Sequence, residues 1–331
     1  MIKAIKPANG LLLAMILGLL LSCTMPLAVA GAQEAGSDQA VSVQVNGKLV
    51  KLSERATIID GRTYVPAARI AKLLGASVNW DNDAEELTIH TALSDEIVVG
   101  NRVPVVYFND VRYRMDALPL LRDDRLYMPV RQLADMLHAE LTVDAQSDTV
   151  EVALAQPAFV TEEKGLDEIS QEAGISKAQL LKRNGLNSEA DAPDGTKLKV
   201  VIPSFFSKPA AAYTEADLTL LAKITMVEAG YESYEGQLAL ANVILNRVKD
   251  TRFPDSIKEV IYSGRQFPPA HNGLLARSTP HSLALRAAKD ALNGRNNIGD
   301  AVYFYNPQVT RGEFWSSLDV VVKIGHHSFA K

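Results

Sequence analysis

A five-residue string, Arg62-Thr63-Tyr64-Val65-Pro66, returns 63 residues later as Arg125-Leu126-Tyr127-Met128-Pro129. The same offset carries Ala71 onto Ala134, Leu74 onto Leu137, Ala76 onto Ala139 and Asp81 onto Asp144. Self-similarity at a fixed offset means two copies of one supersecondary unit. Each copy reads as a strand running into its proline, a short amphipathic helix (Ile70, Leu73 and Leu74 in the first) and a returning strand pair. Each ends in an alternating run, Glu86-Leu87-Thr88-Ile89 and Thr149-Val150-Glu151-Val152. Neither copy can bury its apolar face alone.

This pattern, over residues 41–154 with copies at about 41–91 and 97–154, resembles the copper amine oxidase N-terminal-like or stalk domain of exported proteins. Copper itself is not expected, because His90 and His138 stand far apart without further ligands at regular spacing. Ahead of the repeat, Lys3 and Lys6 precede the apolar run from Leu11 to Leu21, which closes on Ala28-Val29-Ala30. That is the layout of a secretory signal over residues 1–30. The run is shorter than the ~20 residues of a spanning helix. Leu20-Leu21-Ser22-Cys23 resembles a lipobox, but the small residues at Ala28 and Ala30 favour cleavage there over lipidation of Cys23. Cys23 is the single cysteine, so a disulfide framework and a cysteine zinc site are both excluded.

Charge divides the remaining chain. Residues 31–207 carry 18 basic and 27 acidic side chains, and residues 213–331 carry 13 and 12. No basic excess exists to hold a polyanion, so nucleic acid is not an expected partner. Between the halves, residues 159–203 read as a βααβ unit. A strand at Phe159-Val160, helices near 166–173 and 177–184, and the turn Pro193-Asp194-Gly195-Thr196 into a last strand make it up. Ala173-Gly174-Ile175-Ser176, Leu180-Leu181, Asn184-Gly185-Leu186 and Gly195-Thr196-Lys197-Leu198 resemble a LysM module, which implies binding of N-acetylglucosamine-containing glycans. In the first loop the family has Gly-Asp-Thr-Leu where this chain has Glu163-Lys164-Gly165-Leu166. Residues 204–212, with Pro209 and three alanines, read as a linker.

From Tyr213 the pattern turns helical. Thr214 and Asp217 form a capping-box-like start, and Leu218, Leu221, Ala222 and Ile224 lead to Glu228 just before Ala229-Gly230. Glu228 thus sits between apolar neighbours at the negative end of a helix macrodipole, conditions that raise a carboxyl pKa above ~4.3. A carboxylic acid kept protonated is what glycosidic cleavage requires of its general acid. On position alone a solvated helix-end residue is the simpler reading. Tyr231 to Glu235 read as an irregular loop, and Ser233 caps a following helix that is apolar nearly all round. Only Gln237, Asn242, Asn246 and Arg247 interrupt that helix, either bracing the Glu228 loop or satisfying one another.

The string Glu228-Ala-Gly-Tyr-Glu232-Ser-Tyr-Glu235-Gly236-Gln237 is followed in order by several shorter ones. These are Asn246-Arg247-Val248, Arg252-Phe253-Pro254, Gln266-Phe267, Asn272-Gly273, Ala291-Leu292-Asn293-Gly294, Tyr305-Asn306-Pro307 and Ile324-Gly325-His326-His327-Ser328-Phe329. Together they resemble the SleB/CwlJ family of cell-wall hydrolases, over residues 213–331. The resemblance implies a mainly helical, lysozyme-like domain acting on the N-acetylmuramic acid to N-acetylglucosamine bond of peptidoglycan, with Glu228 as the catalytic acid and no cofactor.

Several members of the family are lytic transglycosylases, for which one acid suffices. It protonates the leaving oxygen, and its carboxylate then takes the proton of the sugar's own C6 hydroxyl as that hydroxyl closes the ring. A hydrolytic glycosidase needs a second carboxylate, for which Glu232 and Glu235 are the candidates. Gln237, Phe267, Tyr305 and Asn306 are the candidate substrate contacts. His326-His327 is not expected to hold a metal, since neighbours on a strand point to opposite faces.

The chain as a whole is therefore expected to be multidomain α+β: repeated α/β stalk units, a small βααβ LysM-like module and a mainly α lysozyme-like catalytic domain. Its expected partners are peptidoglycan glycan strands, with no obligate protein partner. Two rival functions are an N-acetylmuramoyl-L-alanine amidase and a noncatalytic peptidoglycan-binding protein.

Overall fold

A computed structural model describes residues 37–50, 55–144, 146–264 and 266–331. The proposed signal segment and Cys23 lie outside the described residues. Among the described residues no helix is long and apolar enough to cross a membrane.

The two similar strings become strand neighbours. Strand Arg125–Pro129 runs antiparallel to Arg62–Pro66 with Tyr127 opposite Pro66, Met128 opposite Val65 and Pro129 opposite Tyr64. Val65 therefore faces its own counterpart, Met128, across a local two-fold. Each proline ends its strand and leads directly into a seven-residue helix, Ala67–Leu73 or Val130–Met136. Proline's fixed φ and missing N–H are tolerated at such a boundary and not within a helix.

The returning strand pairs form at both places but go to different sheets. Thr149–Leu154 and Ala139–Asp144 join the large sheet beside Ser37–Val45, whereas Ser77–Asp81 and Glu86–His90 begin a separate five-stranded meander. That meander continues through Glu96–Gly100, Val105–Phe108 and Val111–Arg114. Side chains from both halves, among them Val65, Ile70, Leu87, Met128, Leu133 and Val152, close one common core. The two halves are interleaved because each supplies only part of the apolar surface that must be covered.

The segment from Ser204 to Ala212 differs from the linker expected of it. Phe205 and Phe206 are buried in the front core against Phe108 and Tyr113, with ring centroids 5.0–5.9 Å apart. Beyond them the backbone lies along Val111–Arg114, with Arg114 N–H donating to the Lys208 carbonyl and Ala210 N–H to that of Arg112. Two adjacent aromatic rings outweigh the one proline and three alanines that suggested a linker.

Residues 158–198 contain two short strands, Ala158–Phe159 and Lys197–Leu198, around helices Leu166–Glu172 and Lys177–Asn184, over a small core of Val160, Leu166, Ile169, Leu180 and Leu198. This unit is fastened to the meander through Asp95. The Asp95 carboxylate accepts from Arg183 at 2.7 Å and from Lys199 at 2.6 Å, with the Asp95 and Arg183 side chains fully buried. Burial would raise the Asp95 carboxyl, but hydrogen bonds from Arg183, Lys199 and Asn109 and the charge of Arg183 outweigh it and hold the pKa below the ordinary value.

The C-terminal part packs helices Glu215–Ala229, Tyr234–Lys249 and Ser282–Leu292 on one another. A three-stranded sheet of Tyr303–Tyr305, His327–Ala330 and Val320–Ile324 adjoins them. Helix Tyr234–Lys249 is the core element, buried from Gly236 to Ile244. Of its polar side chains, Asn246 donates to the carbonyls of Gly299 and Ala301, and Arg247 donates to that of Val302. They hold the strand that follows, and only Gln237 braces the Glu228 loop.

Candidate active site

The helix that ends at the site begins in a complete capping box. The Thr214 hydroxyl accepts from Asp217 N–H, and the Asp217 carboxylate accepts from the Thr214 N–H and hydroxyl. Fifteen residues later the helix ends at Ala229, which places Glu228 in its last turn, half-buried. Burial raises the Glu228 carboxyl above its ordinary pKa.

The connection to the next helix is tight, comprising only Gly230 to Ser233. Tyr231 is 69% exposed, and Glu232 folds inward to 7%. Ser233 occupies the cap position without a side-chain capping bond, unlike the expectation for it. Tyr231 lies within reach of both acids: burial, then the charges of Glu232 and Glu228, raise its phenol.

Glu232 sits in a cradle built by two glycines. A Cβ on Gly325 would lie 1.9 Å from Glu232 Oε2, and one on Gly236 would lie 2.7 Å from Glu232 Cβ, so neither position admits a side chain while Glu232 stays in place. Gly325 also has φ +56°, the left-handed conformation that opens the two-residue turn between Val320–Ile324 and His327–Ala330. Because His326 lies in that turn and His327 begins the strand, their rings do not diverge as strand neighbours would. Both reach one carboxylate oxygen: His326 Nδ1 is 2.9 Å and His327 Nδ1 3.3 Å from Glu232 Oε1. The His326 backbone N–H donates to the same atom at 3.3 Å. Burial lowers the His327 pKa against the opposing pull of Glu232. Gln237 Nε2 donates to the Glu232 carbonyl at 2.9 Å and pins the loop from below.

The remaining sequence candidates separate. Glu235 is not in a loop but in the first turn of Tyr234–Lys249, where it accepts from Arg295 Nη2 at 2.9 Å and Asn297 Nδ2 at 2.8 Å. Phe267 is fully buried, stacked on Phe304 and beneath the Arg247 guanidinium, so its ring has no face to offer a sugar. Gln237 is likewise fully buried and acts on the loop rather than on a ligand. Tyr305 is half-buried and meets Trp315 with centroids 5.3 Å apart; Asn306 Oδ1 accepts from Gln308 N–H, closing a turn.

Two features escaped the sequence reading. Trp315 joins Phe314 and Tyr305 in a partly exposed aromatic group, and the spacing Phe314-Trp315 after Tyr305-Asn306-Pro307 was its available signal. The convergence of His326 and His327 on Glu232 spans 94 residues and had no local signal.

Residues 231–330 match the family model described as Cell Wall Hydrolase, and residues 44–152 match the Copper amine oxidase N-terminal domain. Its C-terminal part is thus similar to cell wall hydrolase domains. The spore cortex-lytic enzyme of Halalkalibacterium halodurans is 38% identical over 140 residues, which are 42% of this chain and 42% of that protein. That of Bacillus cereus is 36% identical over 119 residues, 36% of this chain and 46% of that protein. The chain thus spans less than half the length of these curated relatives. The solved catalytic domain of the germination-specific lytic transglycosylase SleB from Bacillus anthracis is 35% identical, covering 36% of this chain and 98% of that one, with a TM-score of 0.35.

The cell wall hydrolase match begins three residues after Glu228. The front domain's name implies copper, but its histidines do not fit that ion. His90 meets Glu96 at 3.5 Å on the surface, and the buried His138 uses Nε2 to accept from the Val200 amide. Among the described residues no group of three or more His, Cys, Asp or Glu is arranged to hold a metal.

Proposed function

We propose that this protein cleaves the N-acetylmuramic acid to N-acetylglucosamine bond of peptidoglycan as a lytic transglycosylase, with Glu228 as its one acid and base. The carrying observation is the half-buried Glu228 carboxyl, raised by burial at the end of its helix, while the two acids that follow it in sequence, Glu232 and Glu235, are already engaged by other side chains. In its protonated form Glu228 gives its proton to the leaving glycosidic oxygen. The resulting carboxylate takes the proton of the muramic acid C6 hydroxyl as that oxygen bonds to C1, leaving a 1,6-anhydro end with no water consumed. Hydrolysis would need a second free carboxylate. Glu235 is held by Arg295 and Asn297, and Glu232 by two histidines, which supports the single-acid route.

The relatives named as spore cortex-lytic enzymes favour cortex peptidoglycan as the substrate, and action there requires export, in keeping with the signal layout of residues 1–30. The front units serve as the wall-associating part in this reading. The 63-residue offset and the Val65–Met128 two-fold support a duplicated stalk, and the βααβ order of residues 158–198 supports a LysM-like glycan-binding module.

The test is Glu228→Gln in the full chain on purified cortex peptidoglycan. We expect release of muropeptides to fall by about 10²–10⁴-fold. Mass spectrometry of the wild-type digest should show anhydromuramoyl ends, whereas reducing ends or free stem peptides would point instead to a hydrolase or an amidase.

A further inference from the structure

We infer that His326 is a glycan-contacting residue of this site and that Glu232 is the positioning residue that orients it. The inference rests on the glycan-cleaving reading above and assigns Glu232 a different part from that of a second catalytic acid. Glu232 is the wrong shape for direct chemistry. Its side chain is 4% exposed, enclosed by the Gly325 and Gly236 cradle, with Oε1 covered by the Nδ1 atoms of His326 and His327 and by a backbone N–H. The His326 side chain is 60% exposed although its Nδ1 is anchored at 2.9 Å.

A carboxylate accepts hydrogen bonds, so the neutral ring bound to it carries its proton on Nδ1 and presents Nε2 as a bare acceptor. The outer face of His326 is thereby fixed in both orientation and tautomer, as is seen where a carboxylate backs a functional imidazole. The location suits a sugar. The Tyr231 ring lies 6.1 Å from the His326 ring, and Tyr231 lies in the short connection that follows the helix carrying Glu228, close enough to feel the Glu228 charge. Tyr231 is 69% exposed, so an aromatic face and an oriented acceptor stand side by side next to the proposed acid. Sugar hydroxyls and acetamido N–H groups are donors of the kind that a bare Nε2 accepts, and aromatic faces pack on pyranose rings. His327 cannot take this part, because its side chain is 11% exposed and packed edge-on to Phe304.

The experiment uses the full chain on soluble glycan strands freed of stem peptides, with kcat and KM measured separately. In His326→Asn the side-chain amide nitrogen replaces Nδ1 and keeps the bond to Glu232, while nothing replaces Nε2. We expect kcat/KM to fall about tenfold with an unchanged melting temperature. In His326→Gln, whose side chain reaches the Nε2 position, part of that loss should be restored. In ¹⁵N–¹H spectra the wild-type His326 ring should show the Nδ1–H tautomer, and Glu232→Gln should mix the tautomers.

A merely structural Glu232–His326 contact predicts His326→Asn with full activity, and that result overturns the inference, as does an Nε2–H tautomer in the wild type. The two readings fail separately. Undiminished activity in Glu228→Gln sinks the assignment of the acid, whereas an inactive Glu228→Gln beside a fully active His326→Asn sinks only the role of His326.

Discussion

His138 gives the most direct physical test of how the front units are joined. It follows helix Val130–Met136, is 1% exposed, and its Nε2 accepts from the Val200 N–H at 2.8 Å across the junction with the βααβ unit. An accepting Nε2 must be unprotonated. Burial, then the nearby Arg183 charge, lower its pKa from 6.5 to about 4. A base with a depressed native pKa is neutral in the closed form and takes up a proton once opened. The junction is therefore at full strength above about pH 6.5, weakens as pH falls through the interval, and loses no more below about pH 4. The gap amounts to roughly 3 kcal/mol in total, or about 1.4 kcal/mol per pH unit.

Hydrogen exchange of the Val200 amide reads this opening locally and does not require the whole chain to unfold in two states. We expect its opening free energy to decline with that slope between pH 6.5 and 4, and the decline to vanish in His138→Gln, whose carbonyl can accept the same bond but does not titrate. A flat profile in the wild type, or the same slope in the variant, would show that His138 does not control the junction.

Other expectations follow from single side chains. Because burial raises the Glu228 carboxyl, its acid form persists to higher pH than an ordinary glutamate, and turnover should fall as pH rises through that raised value. The same raised pKa makes the ionised form a cost to the fold, so Glu228→Gln should melt above the wild type at pH 8 and level with it near pH 3, as scanning calorimetry can check. Asp95→Ala leaves the fully buried Arg183 without its counter-charge and should destabilise the junction by about 3–5 kcal/mol in urea titrations; a loss below about 1 kcal/mol would contradict the pairing. Phe205→Ala, at a side chain 1% exposed, should cost about 3–5 kcal/mol and make the stretch from Ser204 to Ala212 a protease target, which a true tether would already be in the wild type.

Local chemistry made much of this molecule legible in its amino acids. The repeat at a 63-residue offset, with proline closing each strand, needs only hard-sphere sterics and apolar spacing, and both strand-to-helix junctions lie where those rules put them. The same holds for the Thr214 capping box and for Glu228 in the last turn of its helix, since each depends on residues within four positions. What the chain could not display is which distant groups meet. Glu232 and Glu235 have the same chemistry three residues apart, yet one is enclosed by a turn 94 residues away and the other by Arg295 and Asn297. Phe267 and Tyr305 are both aromatics in family motifs, and only packing decides that the first is core and the second half-exposed. Phe205 and Phe206 read as part of a tether until the front core accepts them. Helix caps and turns are set by neighbours in sequence, whereas burial and ion pairing are set by neighbours in space, and those exist only once the chain has closed on itself.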